Sequence, residues 1–130
     1  MANPVSYPAK SGDLTTTTLH LVLPIGAAGA VGTATRSHEF VAAAPATHDA
    51  TGVYSALLRE SWVALLGYHL NCKQATYSAS GACEVTLKTD SVSASTPKVV
   101  VEVRTAAGVL VDPASGDILF LTLDLQQTKP

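Results

Sequence analysis

Four stretches in the second half of the chain alternate apolar and polar residues with a period of two. Tyr68, Leu70 and Cys72 alternate with His69, Asn71 and Lys73, and Cys83, Val85 and Leu87 with Glu84, Thr86 and Lys88. Val99, Val101 and Val103 alternate with Val100, Glu102 and Arg104, and Leu119, Leu121, Leu123 and Leu125 with Phe120, Thr122, Asp124 and Gln126. A strand sends successive side chains to opposite faces, so each stretch predicts a half-buried β-strand. The breaks at 78–81, 90–97 and 112–116 carry Ser, Asp, Pro and Gly, residues that favour turns. Nearer the N-terminus, the β-branched run Thr15, Thr16, Thr17 and Thr18 leads into Leu19, Leu21 and Leu23, and Pro24 closes that strand. Regularly spaced strands with such breaks predict a mainly β chain: a single antiparallel β-sandwich or jelly-roll-like domain over 14–130.

The intervening segments are less regular. Residues 1–13, broken by Pro4 and Pro8, read as an extended arm. Residues 36–41 predict a further strand, and 42–52 a loop on composition. Within 53–67, Tyr54, Leu57, Leu58, Trp62, Leu65 and Leu66 fall at helical spacing, with Gly67 placed as a C-cap. That segment predicts a short strand followed by one short helix over 59–66, with Trp62 as its core anchor. Phe120 and Val100 lie on the nominally outer faces of their strands; a strand apolar on both faces is covered on both, by a loop of its own chain or by another subunit.

Charged residues make up only 14% of the chain, too few for a disordered polymer. The Lys and Arg residues are scattered, whereas phosphate binding needs a concentrated basic face, so no nucleic-acid partner is expected. The polar start lacks a basic, apolar leader, and the apolar stretch 19–32 is interrupted by His20, Pro24, Gly26, Gly29 and Gly32. Neither export nor a membrane partner is expected, and Cys72 and Cys83 read as thiols in a reducing compartment. A hairpin centred on Ala79 and Ser80 sets Cys72 opposite Leu87, leaving the thiols roughly 13 Å apart, beyond the reach of a disulfide.

No local signature of catalysis stands out. The spacing of Gly26, Gly29 and Gly32 is not that of a dinucleotide turn. His38 and Glu39, as neighbours on a strand, point to opposite faces. His48 and Asp49 read as loop chemistry, His20 and His69 as surface histidines, and Asp112, Asp117 and Asp124 as turn and surface residues without cation-loop spacing. No catalytic, cofactor-binding or metal-binding residue is assigned, and no enzymatic activity is expected.

In the C-terminal half, three runs resemble the last strands of small β-sandwich structural proteins of tailed-bacteriophage virions. They are Lys98-Val-Val-Val-Glu-Val-Arg-Thr-Ala-Ala-Gly, Val111-Asp-Pro-Ala-Ser-Gly and Asp117-Ile-Leu-Phe-Leu-Thr-Leu-Asp-Leu. Gly52-Val-Tyr-Ser-Ala-Leu-Leu, with the apolar turn around Trp62, is also similar, so the resemblance covers 52–126. It implies a non-enzymatic capsid decoration or cement subunit, or a fibre or tail component. Such a subunit is made in the host cytoplasm, is commonly a homotrimer, and binds the major capsid protein or another virion protein. Low charge and two-faced apolar strands suit a subunit that gains stability by assembly. A carbohydrate- or ligand-binding β-sandwich module is the alternative.

Overall fold

The computed structural model describes residues 16–127, and the expected arm at 1–13 lies outside them. The chain is mainly β and forms two antiparallel four-stranded sheets, a β-sandwich, as the alternation predicts. In chain order the strands are β1 (Thr16–Pro24), β2 (Thr35–Arg36), β3 (Ala46–Ala50), β4 (Val53–Leu57), β5 (Ala64–Lys73), β6 (Glu84–Ser91), β7 (Lys98–Arg104) and β8 (Ile118–Gln126). One sheet runs β2-β1-β8-β5 and the other β3-β4-β7-β6. No helix among the described residues is long and apolar enough to cross a membrane.

The core is the meeting of the two apolar faces that period two creates. Leu19, Leu21 and Leu23 of β1 and Leu119, Leu121, Leu123 and Leu125 of β8 supply one face. Tyr54 and Ala56 of β4 and Val99, Val101 and Val103 of β7 supply the other. The register is continuous through the centre, with Leu21 opposite Leu121 and Leu121 opposite Leu70. A one-residue slip would turn every leucine of β8 to solvent, so burial itself fixes the register. Burying each such side chain stabilises the fold by about 1.5–3 kcal/mol.

Four expectations are corrected. The helix over 59–66 does not form. Its amides donate to distant carbonyls: Leu58 N to Pro97 O, Arg59 N to Glu39 O, Trp62 N to Val92 O and Val63 N to Gln126 O. The helical spacing arises because the chain crosses from one sheet to the other there, burying Leu58 and Trp62 on the way into β5. Gly67 is no helix cap; it follows a register shift in β5 between Leu65 and Gly67.

The strand expected at 36–41 stops at Arg36. Arg36 Nη1 donates to the carbonyls of Ser37 (3.2 Å) and Phe40 (3.4 Å), wrapping the backbone around the guanidinium. The loop expected over 42–52 instead contains β3, the outer half of a hairpin with β4. Its tight turn needs Gly52, which sits at φ 69° with a Cβ position only 2.7 Å from Val103 O. Lastly, β5 and β6 do not form a hairpin. They belong to opposite sheets, with Cys72 opposite Leu119 and Leu87 opposite Val101. Cys72 and Cys83 are free thiols, as expected, at the mouth of this crossover.

Of the two outer-face residues, Val100 is buried by its own chain, between Ser55 and Thr89 in the register, while Phe120 is half-buried between Val22 and Asn71.

Candidate functional site

The sandwich carries its chemistry in three places: a polar network at one end, a cleft at the other, and the open edge of β5. The network lies where β4 begins and β8 begins. His48, on β3, stacks on the Tyr54 ring at 4.9 Å between centroids, and its Nε2 donates to Asp112 Oδ1 at 2.8 Å. The same oxygen accepts the Gly52 amide at 2.7 Å. The Tyr54 hydroxyl donates to the buried Gly29 carbonyl at 2.7 Å, so burial, with Asp112 and Cys72 nearby, pushes the phenol far above its usual range. Gly29, at φ 76°, leaves room for Asp112; a Cβ there would lie 2.7 Å from Asp112 Cγ. These three hydrogen bonds join separate loops of the same chain, which makes the cluster a brace between three connections.

Asp117 works similarly. Its buried carboxylate accepts the amides of Ala75 and Ala114, each at 2.9 Å. Asp49 turns to the outer face of its hairpin, where it accepts hydrogen bonds from Ser55 and from Thr47 (2.8 Å). Burial raises its pKa, but those bonds and the charges of Lys98 and His48 outweigh that and hold it below the usual carboxylate range. Glu102, on the same face, is held low chiefly by its bond to Arg104 (2.8 Å), with Lys88 at 3.7 Å adding to the effect. Asp124 accepts from Thr18 at 2.6 Å, and His20 and His69 are exposed on the outer face either side of Thr122 in the register. Among the described residues no group of three or more His, Cys, Asp or Glu side chains is placed to hold a metal ion.

The opposite end carries a cleft of about 290 Å3 lined by His38, Glu39, Arg59, Glu60, Ser61, Trp62 and Gln127. Here His38 and Glu39 lie in a turn rather than on a strand, and line the same cleft. Arg59 has no carboxylate partner among the described residues; its Nη1 donates to His38 Nε2 and to the His38 carbonyl (3.3 Å). Trp62 is 8% exposed, and its indole Nε1–H has no hydrogen-bond acceptor among the described residues. Trp62 is thus the core anchor that its apolar neighbours suggest, reached without a helix.

Strand β5 forms the third place. Among the described residues it is the outermost strand of its sheet and pairs only with β8, and it is ten residues long. Its inward residues are poorly covered, because the facing edge strand β6 leaves Leu65, Leu70 and Cys72 half-buried. Tyr68 is 51% exposed, with Leu66 and Val63 each at 45% beside it. Period-two alternation locates β5 in the sequence. That its outer edge has no neighbour among the described residues is a fact of topology and leaves no local signal, just as the pairing of His48 with Asp112 across 64 residues leaves none. Comparison of the chain with protein-family models, with curated proteins and with solved structures finds no match.

Proposed function

We propose that this chain is a non-enzymatic structural subunit of a virion, a capsid decoration or cement protein that works as a homo-oligomer on the major capsid lattice. One observation supports the reading above the others. The fold buries its core with leucines and valines, yet leaves Val63, Leu66 and Tyr68, within six residues of one another in and just before β5, about half exposed. Contiguous exposed apolar surface marks an association site. The polar cluster around Asp112 and the buried Asp117 brace loops, which suits a rigid part that acts through its surface. The resemblance of 52–126 to small virion β-sandwiches supplies the context.

The test is sedimentation of particles from cells that encode the chain. On a density gradient the chain should band with intact capsids, and particles made without it should rupture at a lower temperature. A chain that stays at the top of the gradient, with particles equally robust in its absence, overturns the reading.

The Trp62 cleft favours a second reading, a carbohydrate- or ligand-binding module, because it joins an unpartnered indole donor to an Arg59 without a carboxylate partner among the described residues. A glycan array, read beside quenching of the fluorescence of Trp62, decides that reading: saturable quenching supports it and a blank array with unchanged emission removes it.

A further inference from the structure

We infer that β5 pairs with β5 of a second copy, antiparallel about a two-fold axis, so that the two sheets join edge to edge. An exposed strand edge presents unpaired N–H and C=O groups and invites another strand. With β8 as its only neighbour among the described residues, every second residue of β5 turns its backbone groups outward. Soluble proteins blunt such edges with short strands, bulges, prolines or charges. The other three sheet edges among the described residues are blunted in these ways. β2 has two residues; β3 has five, carries Asp49, and is irregular between His48 and Ala50; β6 carries Glu84, Lys88 and Asp90 and shifts register between Leu87 and Thr89. β5 also shifts register, between Leu65 and Gly67, but from Gly67 to Lys73 it runs without proline in regular register, and its one charged residue, Lys73, stands at its end.

The sequence of β5 selects a copy of itself as the occupant. A two-fold axis perpendicular to the sheet keeps inner faces together and sets residues opposite one another symmetrically about the centre. Centred on Tyr68, His69 or Leu70, the pairing places Lys73 opposite Val63, Leu65 or Gly67 of the other copy, never opposite a charge. Centred on Tyr68, the pairing sets Leu66 opposite Leu70 and Tyr68 opposite Tyr68 of the partner copy. Self-pairing of β6 about Leu87 would instead set Glu84 against Asp90, a like-charge contact that destabilises a strand pair. An uncharged edge offers a foreign strand no charge pattern to recognise, whereas a two-fold contact needs only self-complementarity, and such contacts are the commonest in oligomers. Three-fold symmetry, where present, must use another surface.

This inference rests on the reading of the chain as an assembly subunit, and its test separates the two. Light scattering of the full chain should give twice the mass of the double variant Leu66→Lys/Tyr68→Lys, in which each exposed apolar side chain becomes a charge facing its copy. The variant should stay folded by circular dichroism, both side chains being about half exposed already, with a thermal midpoint that no longer depends on concentration. Hydrogen exchange of the unaltered chain at rising concentration should show added protection confined to 64–73, a measurement that stands even where the variant misfolds. A chain whose mass is unchanged by the double variant, or whose concentration-dependent protection lies elsewhere, overturns the pairing. A lone copy that still bands with capsids overturns it while leaving the decoration reading in place.

Discussion

Asp112 Oδ1 receives two hydrogen bonds at once, from His48 Nε2 at 2.8 Å and from the Gly52 amide at 2.7 Å. One carboxylate oxygen thereby ties the loop after β7 to the first strand and the turn of the β3–β4 hairpin. Removing it leaves a half-buried backbone amide and an imidazole N–H without their acceptor, which costs about 1–3 kcal/mol. Asp112→Ala should therefore lower the urea midpoint by an amount in that range with no change in slope. Asp112→Asn keeps an acceptor oxygen in the same place without the negative charge and should lose less. Equal midpoints for the three proteins would show that the hairpin does not depend on this contact.

The Tyr54 hydroxyl is the only hydrogen-bond partner that the described residues give the Gly29 carbonyl in the buried interior. Tyr54→Phe retains the ring, its stack on His48 and its packing, and strands that carbonyl. The expected loss is again about 1–3 kcal/mol. Tyr54→Ala adds a cavity to the lost bond, and large aromatic truncations of this kind cost about 3–5 kcal/mol. Chemical denaturation should rank the three proteins in that order, and a Phe variant as stable as the parent would remove the hydroxyl from the account.

The strands were readable where a single face decides. Leu19, Leu21, Leu23 and the four leucines of β8 alternate without exception, because one side of each strand is core and the other is solvent. Where the chain changes sheets, that rule lapses. Leu57, Leu58, Trp62 and Leu65 meet different partners in succession, and their spacing imitates a helix that the long-range amide bonds then exclude. β3 was hidden for the opposite reason: Ala46, Thr47 and Ala50 offer little apolar contrast, and the hairpin is held instead by Asp49 to Ser55 and by His48 to Asp112. The edge of β5 shows what local pattern omits altogether, since the pattern predicts a strand and topology alone decides whether that strand has one neighbour or two.

Acid should loosen the outer face of the β3-β4-β7-β6 sheet. The folded pKa values of Asp49 and Glu102 lie below their ordinary values of 3.8 and 4.5, so the folded state prefers both as carboxylates. The stability this provides is complete above those ordinary values and is lost as pH falls through the lowered ones. The midpoint of unfolding should therefore decline from about pH 5 downward. Asp49→Asn should flatten that decline, and Glu102→Gln should flatten it further; both surfaces are solvated, so added salt should weaken the Glu102 contribution. A decline unchanged in the double variant would assign acid sensitivity to other carboxylates.

Alkaline conditions probe the crossover between the sheets. Burial, with Asp117 and Cys83 nearby, pushes the Cys72 thiol from its ordinary 9.0 up to about 11. Only the thiolate reacts with alkylating agents, so near pH 8 two units of pKa reduce the reactive fraction by about a hundredfold relative to the unfolded chain. Iodoacetamide should label Cys72 at least that much more slowly in native buffer than in urea, as read by peptide mass spectrometry. The same shift has a thermodynamic consequence. A folded state that holds the proton more tightly is stabilised below pH 9, and this stabilisation is lost as pH rises from 9 through about 11. Cys72→Ala should remove that part of the alkaline destabilisation while leaving the acid limb untouched. Native-state labelling as fast as labelling in urea would mean that the thiol is solvated, and that the β5–β6 side of the sandwich is open down to Cys72.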